Sequence, residues 1–148
     1  MSAKSQEAVE RFRNGFNCSQ AVAGTFSKQF GLDSDRASKV ATGFGGGMRM
    51  GDICGAVTGA YMVLGLKYGN VTAEDQEEKA KTYEKVEEYT KRFKARNDSV
   101  ICKDLLGCDV GTAQGRKEAQ DKGLYTSICP RLVQDAAEIL EQVLVEDV

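Results

Sequence analysis

Apolar residues recur along this chain at intervals of three and four, and no stretch alternates as a strand would, so the pattern predicts helices almost throughout. Ala8, Val9, Phe12 and Phe16 mark a short amphipathic helix. Asn17 reads as the N-cap of a second, with Cys18, Ala21, Val22, Thr25, Phe26 and Gln29 on one face and Gly31 at its end. Asp33 caps a short third helix through Val40. Gly43 to Gly51 must be loop, after which Asp52 caps a buried helix from Ile53 to about Tyr68. Thr72 and Asp75 resemble a capping box opening a long charged helix to about Asn97. There Ala80, Tyr83, Val86, Tyr89 and Phe93 form a narrow stripe, while Glu77 with Lys81, Glu87 with Lys91 and Glu88 with Arg92 mark a solvated face. Ser99 can cap a short helix that Gly107 stops, and Thr112 to Lys122 adds another. The last helix has Cys129 at its N-cap and Pro130 at its first position. Its core face is Leu132, Val133, Ala136, Ile139, Leu140, Val143 and Leu144. The expectation is an all-α, single-domain bundle over residues 1–148, of about five to seven helices, with a glycine-rich loop before a buried central helix.

The cysteines stand out against this frame. Four of the five, Cys18, Cys54, Cys102 and Cys129, fall where a helix is expected to begin. A thiol in a first helical turn sees unpaired N–H groups and the positive end of the macrodipole, and both favour the thiolate, the form that reacts and binds metal. Cys108 follows the helix-stopping Gly107, near carbonyl oxygens, and gains nothing from the dipole. The chain has no histidine. His-paired nucleophiles, His-ligated metals and C-x-x-C-H haem attachment are thereby excluded, leaving sulfur, carboxylate, tyrosine and backbone for any chemistry.

Composition narrows the partners. With 20 basic and 22 acidic residues and a net charge of −2, the chain lacks the electrostatic footprint of a nucleic-acid or anionic-membrane binder. No apolar stretch follows the first residues as in a signal peptide, and Ile53 to Leu66 is too short and glycine-rich to span a bilayer. A soluble, cytoplasmic protein is expected, in a compartment that keeps thiols reduced. Other motifs carry less. Gly43-Phe44-Gly45-Gly46-Gly47-Met48 satisfies neither the dinucleotide nor the P-loop pattern, and Asp33-Ser34-Asp35 does not continue as a calcium loop. Tyr61, one heptad after Cys54, is either core or a hydrogen-bond donor to a thiolate.

In Cys54-Gly55-Ala56-Val57-Thr58-Gly59-Ala60, the pairs Gly55/Gly59 and Ala56/Ala60 leave two helix faces almost bare. Either another helix backbone packs there, or Gly55 and Gly59 leave clearance for a second thiol, a substrate disulfide or a cofactor such as a metal cluster. Both can hold together. The same faces would also suit pairing across a two-fold axis, so a homodimer and a monomer are equally open.

The order Asn17-Cys18-Ser19-Gln20-Ala21-Val22, then the glycine-rich stretch into Cys54-Gly55-Ala56-Val57-Thr58-Gly59, then Cys102-Lys103-Asp104-Leu105-Leu106-Gly107 and a late Cys129, resembles the C_GCAxxG_C_C family of redox-active proteins. The resemblance runs from about Phe16 to the final helix. It implies a small helical protein whose four characteristic cysteines match Cys18, Cys54, Cys102 and Cys129, with Cys108 extra. Similar domains occur in split-Soret cytochromes, with an iron–sulfur centre ascribed to the cysteines; lacking histidine, this chain could share only the sulfur part. Three functions stay open. One is thiol–disulfide electron transfer, as enzyme or carrier, with Cys18 paired to Cys54, Cys102 paired to Cys129, and an unidentified redox partner or small thiol. Another is a four-cysteine [2Fe-2S] or zinc site on the same residues. The third is a helical interaction module whose cysteines only pack.

Overall fold

A computed structural model describes residues 1–146. The chain runs α1 (Ala3–Arg13), α2 (Cys18–Phe26), a 3-10 turn, α3 (Ser34–Ala41), the glycine segment, α4 (Gly55–Tyr68) and α5 (Gln76–Asn97). It continues through α6 (Cys102–Leu106), α7 (Ala113–Asp121), α8 (Leu124–Ser127) and α9 (Cys129–Val145). The protein is all-α, with more helical segments than the expected five to seven; α6 is the short helix expected before Gly107, whereas the single-turn α8 was not anticipated. Among the described residues no strand forms, and no helix is long and apolar enough to cross a membrane.

Several helix starts follow the predicted chemistry. The Asn17 side chain accepts from Gln20 N–H while the Gln20 side chain accepts from Asn17 N–H, a reciprocal capping box at the head of α2. Asp33 and Thr112 cap α3 and α7 one-sidedly, accepting from Arg36 N–H and Gly115 N–H, which accounts for Asp33 without calcium. Asp52 and Ser99 do not cap. An isolated antiparallel bridge joins Ile53 to Ile101, in which Cys54 N–H donates to Val100 C=O at 2.7 Å and Cys102 N–H to Asp52 C=O at 2.6 Å. The bridge holds the chain extended, so α4 begins only after Cys54 and α6 only at Cys102. The last helix starts one residue early, with Cys129 inside it and Pro130 second.

The core surrounds α4. Val57, Ala60, Val63 and Leu64 are fully buried beneath α2, α5 and α9, and every residue of the predicted α9 stripe is buried. Burial of these side chains, at roughly 1.5–3 kcal/mol each, is the main stabilising contribution. The α5 stripe is shorter than its pattern. Tyr89 and Phe93 are buried, and Tyr89 donates to Ala136 C=O at 2.8 Å, whereas Tyr83 is 59% exposed because α5 overhangs the bundle at its N-terminal end. Arg92 pairs with Glu88 at 2.8 Å on the solvated face. Tyr61 turns its hydroxyl to Thr90, away from the thiols.

Gly59 explains how closely α4 meets α2. A Cβ built there would lie 2.7 Å from Ser19 O, so only glycine lets the two backbones touch. With Ala56 and Ala60 also fully buried within the chain, the small-residue faces cannot serve as the dimer seam they suggested. A smaller apolar cluster of Cys102, Leu106, Cys108, Val110 and Ala119 lies beside the main core, with Tyr125 and Cys129 packed against it.

Candidate functional site

The two clusters meet at an apolar cavity of about 160 Å³, and four sulfurs face it: Cys18, Cys54, Cys102 and Cys129. Cys54 belongs to the main core and Cys18 packs against it; Cys102 belongs to the smaller cluster and Cys129 packs against that. Cys108, buried among Leu106, Val110 and Ala119, does not line the cavity. Sequence position gives no hint of this convergence. It is produced by three local devices: the capping box that fixes the first turn of α2, the Ile53–Ile101 bridge that sets Cys54 beside Cys102, and Pro130, which starts α9 at Cys129.

Gly55 supplies the clearance its position suggested. A Cβ there would stand 2.4 Å from Cys18 Sγ, 3.0 Å from Phe44 O and 3.2 Å from Ser19 N. Gly55 lines the cavity and Gly59 does not, so of the two only Gly55 is placed to meet a ligand.

The glycine segment forms the rest of the wall and is not irregular loop. Gly46, Gly47, Met48 and Arg49 all have left-handed dihedrals, making one left-handed turn that Asp52 N–H closes onto Gly47 O at 3.0 Å. For Met48 and Arg49 this conformation costs roughly 1–2 kcal/mol each, so surrounding structure must hold it. What it does is aim Gly46 N–H at Cys18.

The five thiols are all unbridged, and their electrostatics diverge. Cys18 falls from the ordinary 9.0 to about 7, chiefly because the Cys54 thiol hydrogen-bonds to it, with backbone N–H groups of Gly46, Ser19 and Cys18 itself adding to the effect against burial. Cys54 moves well above the ordinary value, first because its proton serves Cys18 and then through burial and the adjacent charge. Burial pushes Cys102 and Cys129 up to about 12, with repulsion from Cys18 contributing. The helix-terminus argument therefore holds for Cys18 alone. At Cys54 the Ala56 N–H still reaches the thiol, but the proton it gives Cys18 and then burial outweigh that help; at Cys102 and Cys129 desolvation outweighs a macrodipole effect typically worth 0.3–1 kcal/mol.

The donor set bears on metals. Among the described residues no three of Cys, Asp and Glu come together closely enough to hold a metal ion. The sulfurs share a cavity wall without forming a ligand cage, so the residues as arranged do not fit zinc or a [2Fe-2S] centre.

Phe12, Leu106, Val110, Tyr125 and Leu132 complete the wall and were not foreseen as site residues. Leu106, four positions after Cys102, and Leu132, three after Cys129, left a readable trace, each standing on its cysteine's helix face.

Compared with known proteins, the chain matches over residues 16–143 the family described as "Putative redox-active protein (C_GCAxxG_C_C)", and it belongs to that family. No curated protein and no solved structure matches it.

Proposed function

We propose that this member of a redox-active family is a dithiol–disulfide electron carrier whose working pair is Cys18 and Cys54. The observation that carries the reading is the opposite displacement of two touching thiols, Cys18 down to about 7 and Cys54 up, in a cavity walled by two further cysteines. Near neutrality Cys18 is about half thiolate and is the nucleophile, while Cys54 keeps its proton and resolves. Cys18 S⁻ attacks one sulfur of a disulfide R–S–S–R, forming Cys18–S–S–R and expelling RS⁻. Cys54 then loses its proton and attacks Cys18 Sγ, closing the Cys18–Cys54 disulfide and expelling the second RS⁻, which takes that proton. Two electrons leave the protein and reduce one disulfide to two thiols. Cys102 and Cys129, held as thiols, form the reserve pair that exchanges with the first.

Titrating the anaerobically reduced protein with a mild disulfide oxidant, then alkylating and mapping peptides by mass spectrometry, tests this. The expected order is a Cys18–Cys54 bridge first, a Cys102–Cys129 bridge at higher oxidant, and Cys108 alkylated throughout. Cys18 and Cys54 both remaining freely alkylated after oxidation would end the proposal.

A further inference from the structure

A second, more polar hollow of about 380 Å³ abuts the cysteine cavity and shares Asn17, Gly46, Val110 and Tyr125 with it. It holds two guanidinium groups, Arg49 and Arg116. Arg49 is carried there by the left-handed turn. Arg116 is half-buried and anchored by one Nη donating to Val110 C=O at 3.1 Å, which leaves most of its donor fork free. Among the described residues neither arginine has a carboxylate within ion-pairing distance, and no acidic side chain lines either hollow. Asp109, the nearby carboxylate, is tied to Gly111 N–H at 2.8 Å. The Tyr125 phenol, its acidity weakened further by burial, is a donor on the shared wall.

We propose that Arg49 and Arg116 form an anion-recognising vestibule, and that the substrate of the thiol pair is a small disulfide bearing carboxylate or similar anionic groups near its sulfurs. The inference rests on the thiol–disulfide reading above. The inner cavity, almost wholly apolar, receives the reacting sulfur; the anionic group stays outside on the guanidiniums, which match carboxylate geometry in bidentate fashion. The size of the two hollows suits a small molecule, and a protein disulfide would have to thread a loop into them. Placing two cations at the mouth also raises the local concentration of an anionic reactant, by a factor of ten or more at low ionic strength.

Stopped-flow reaction of the fully reduced protein with anionic 5,5′-dithiobis(2-nitrobenzoate) and with neutral 2,2′-dithiodipyridine tests this, each rate divided by that of 2-mercaptoethanol thiolate with the same probe. The normalised anionic-to-neutral ratio is expected to exceed unity by about tenfold at low salt and to decline toward unity as salt rises. It should also collapse in R49Q/R116Q, and partly in R49Q alone, which leaves the Arg116 anchor in place. A ratio near unity at every salt concentration in the unaltered protein overturns the vestibule while leaving the thiol chemistry standing. Both probes reacting no faster than with a Cys18→Ser variant overturns the vestibule together with the redox reading beneath it.

Discussion

Replacing Cys54 with alanine removes the donor that most depresses Cys18, and the consequence can be worked through. In the native protein Cys18 titrates at about 7, against an ordinary value of 9.0. Losing the whole shift would take the thiolate fraction at neutral pH from about one half to about one hundredth, roughly a 50-fold fall. A more basic thiolate is also a better nucleophile. With a Brønsted slope of about 0.4–0.5, two units return a factor of about 8, so the net loss in rate at neutral pH is about sixfold. This is an upper limit, because Gly46, Ser19 and Cys18 still offer backbone N–H groups. In the native protein reactivity rises as pH climbs through 7 and then levels, whereas in Cys54→Ala it keeps climbing toward 9 and overtakes the native rate above about pH 8. Iodoacetamide alkylation of Cys18 against pH, read by peptide mass, measures both curves. Coincident midpoints would refute the claim that Cys54 sets the acidity of Cys18.

Gly59→Ala sets a helix-propensity gain of about 1 kcal/mol against overpacking of about 1–3 kcal/mol. With the new Cβ only 2.7 Å from a backbone oxygen, overpacking should win, and a urea midpoint equal to or above native would contradict it. Asn17→Ala removes the side-chain acceptor of the capping box at α2, leaving the Gln20 side chain on the residue-17 N–H, and should cost about 1 kcal/mol, checked by thermal unfolding; an unchanged Tm would mean the Asn17 cap contributes nothing. In Cys18→Ser the charge that repels ionisation of Cys102 and Cys129 disappears, so both should alkylate faster at pH 10 than in native protein. Equal rates there would show that burial alone sets their acidity.

What was legible in the sequence was local. The Asn17 box, the Gly107 stop and the α9 stripe depend on neighbours within a turn, and each stands as predicted. What was not legible depends on contacts between distant segments. Asp52 and Ser99 have the residue types of caps, but the Ile53–Ile101 bridge recruits the backbone there and delays both helices. Glycine spacing announced a loop at residues 43–51, yet not a left-handed turn, since Met48 and Arg49 adopt it only because the turn closes between α3 and α4. The bare face at Gly55 and Gly59 foretold a close approach; that the approach brings a thiol to one glycine and a backbone to the other required the fold.

The divergence of the thiols follows from putting four sulfurs around one small apolar space. A single thiolate there can be solvated by one S–H and a few backbone N–H groups, and Cys18 takes the S–H and three of the N–H groups. A second charge would find few donors left, the Ala56 N–H at Cys54 among them, and would face the first at low dielectric, where repulsion is strong, so ionisation at Cys18 itself helps hold Cys54, Cys102 and Cys129 neutral. Four thiols at four helix starts are equivalent by the dipole rule and become inequivalent by sharing a cavity. That inequality is what lets one sulfur attack while the others wait, and it would vanish if the same cysteines were dispersed over the surface with their helix termini intact.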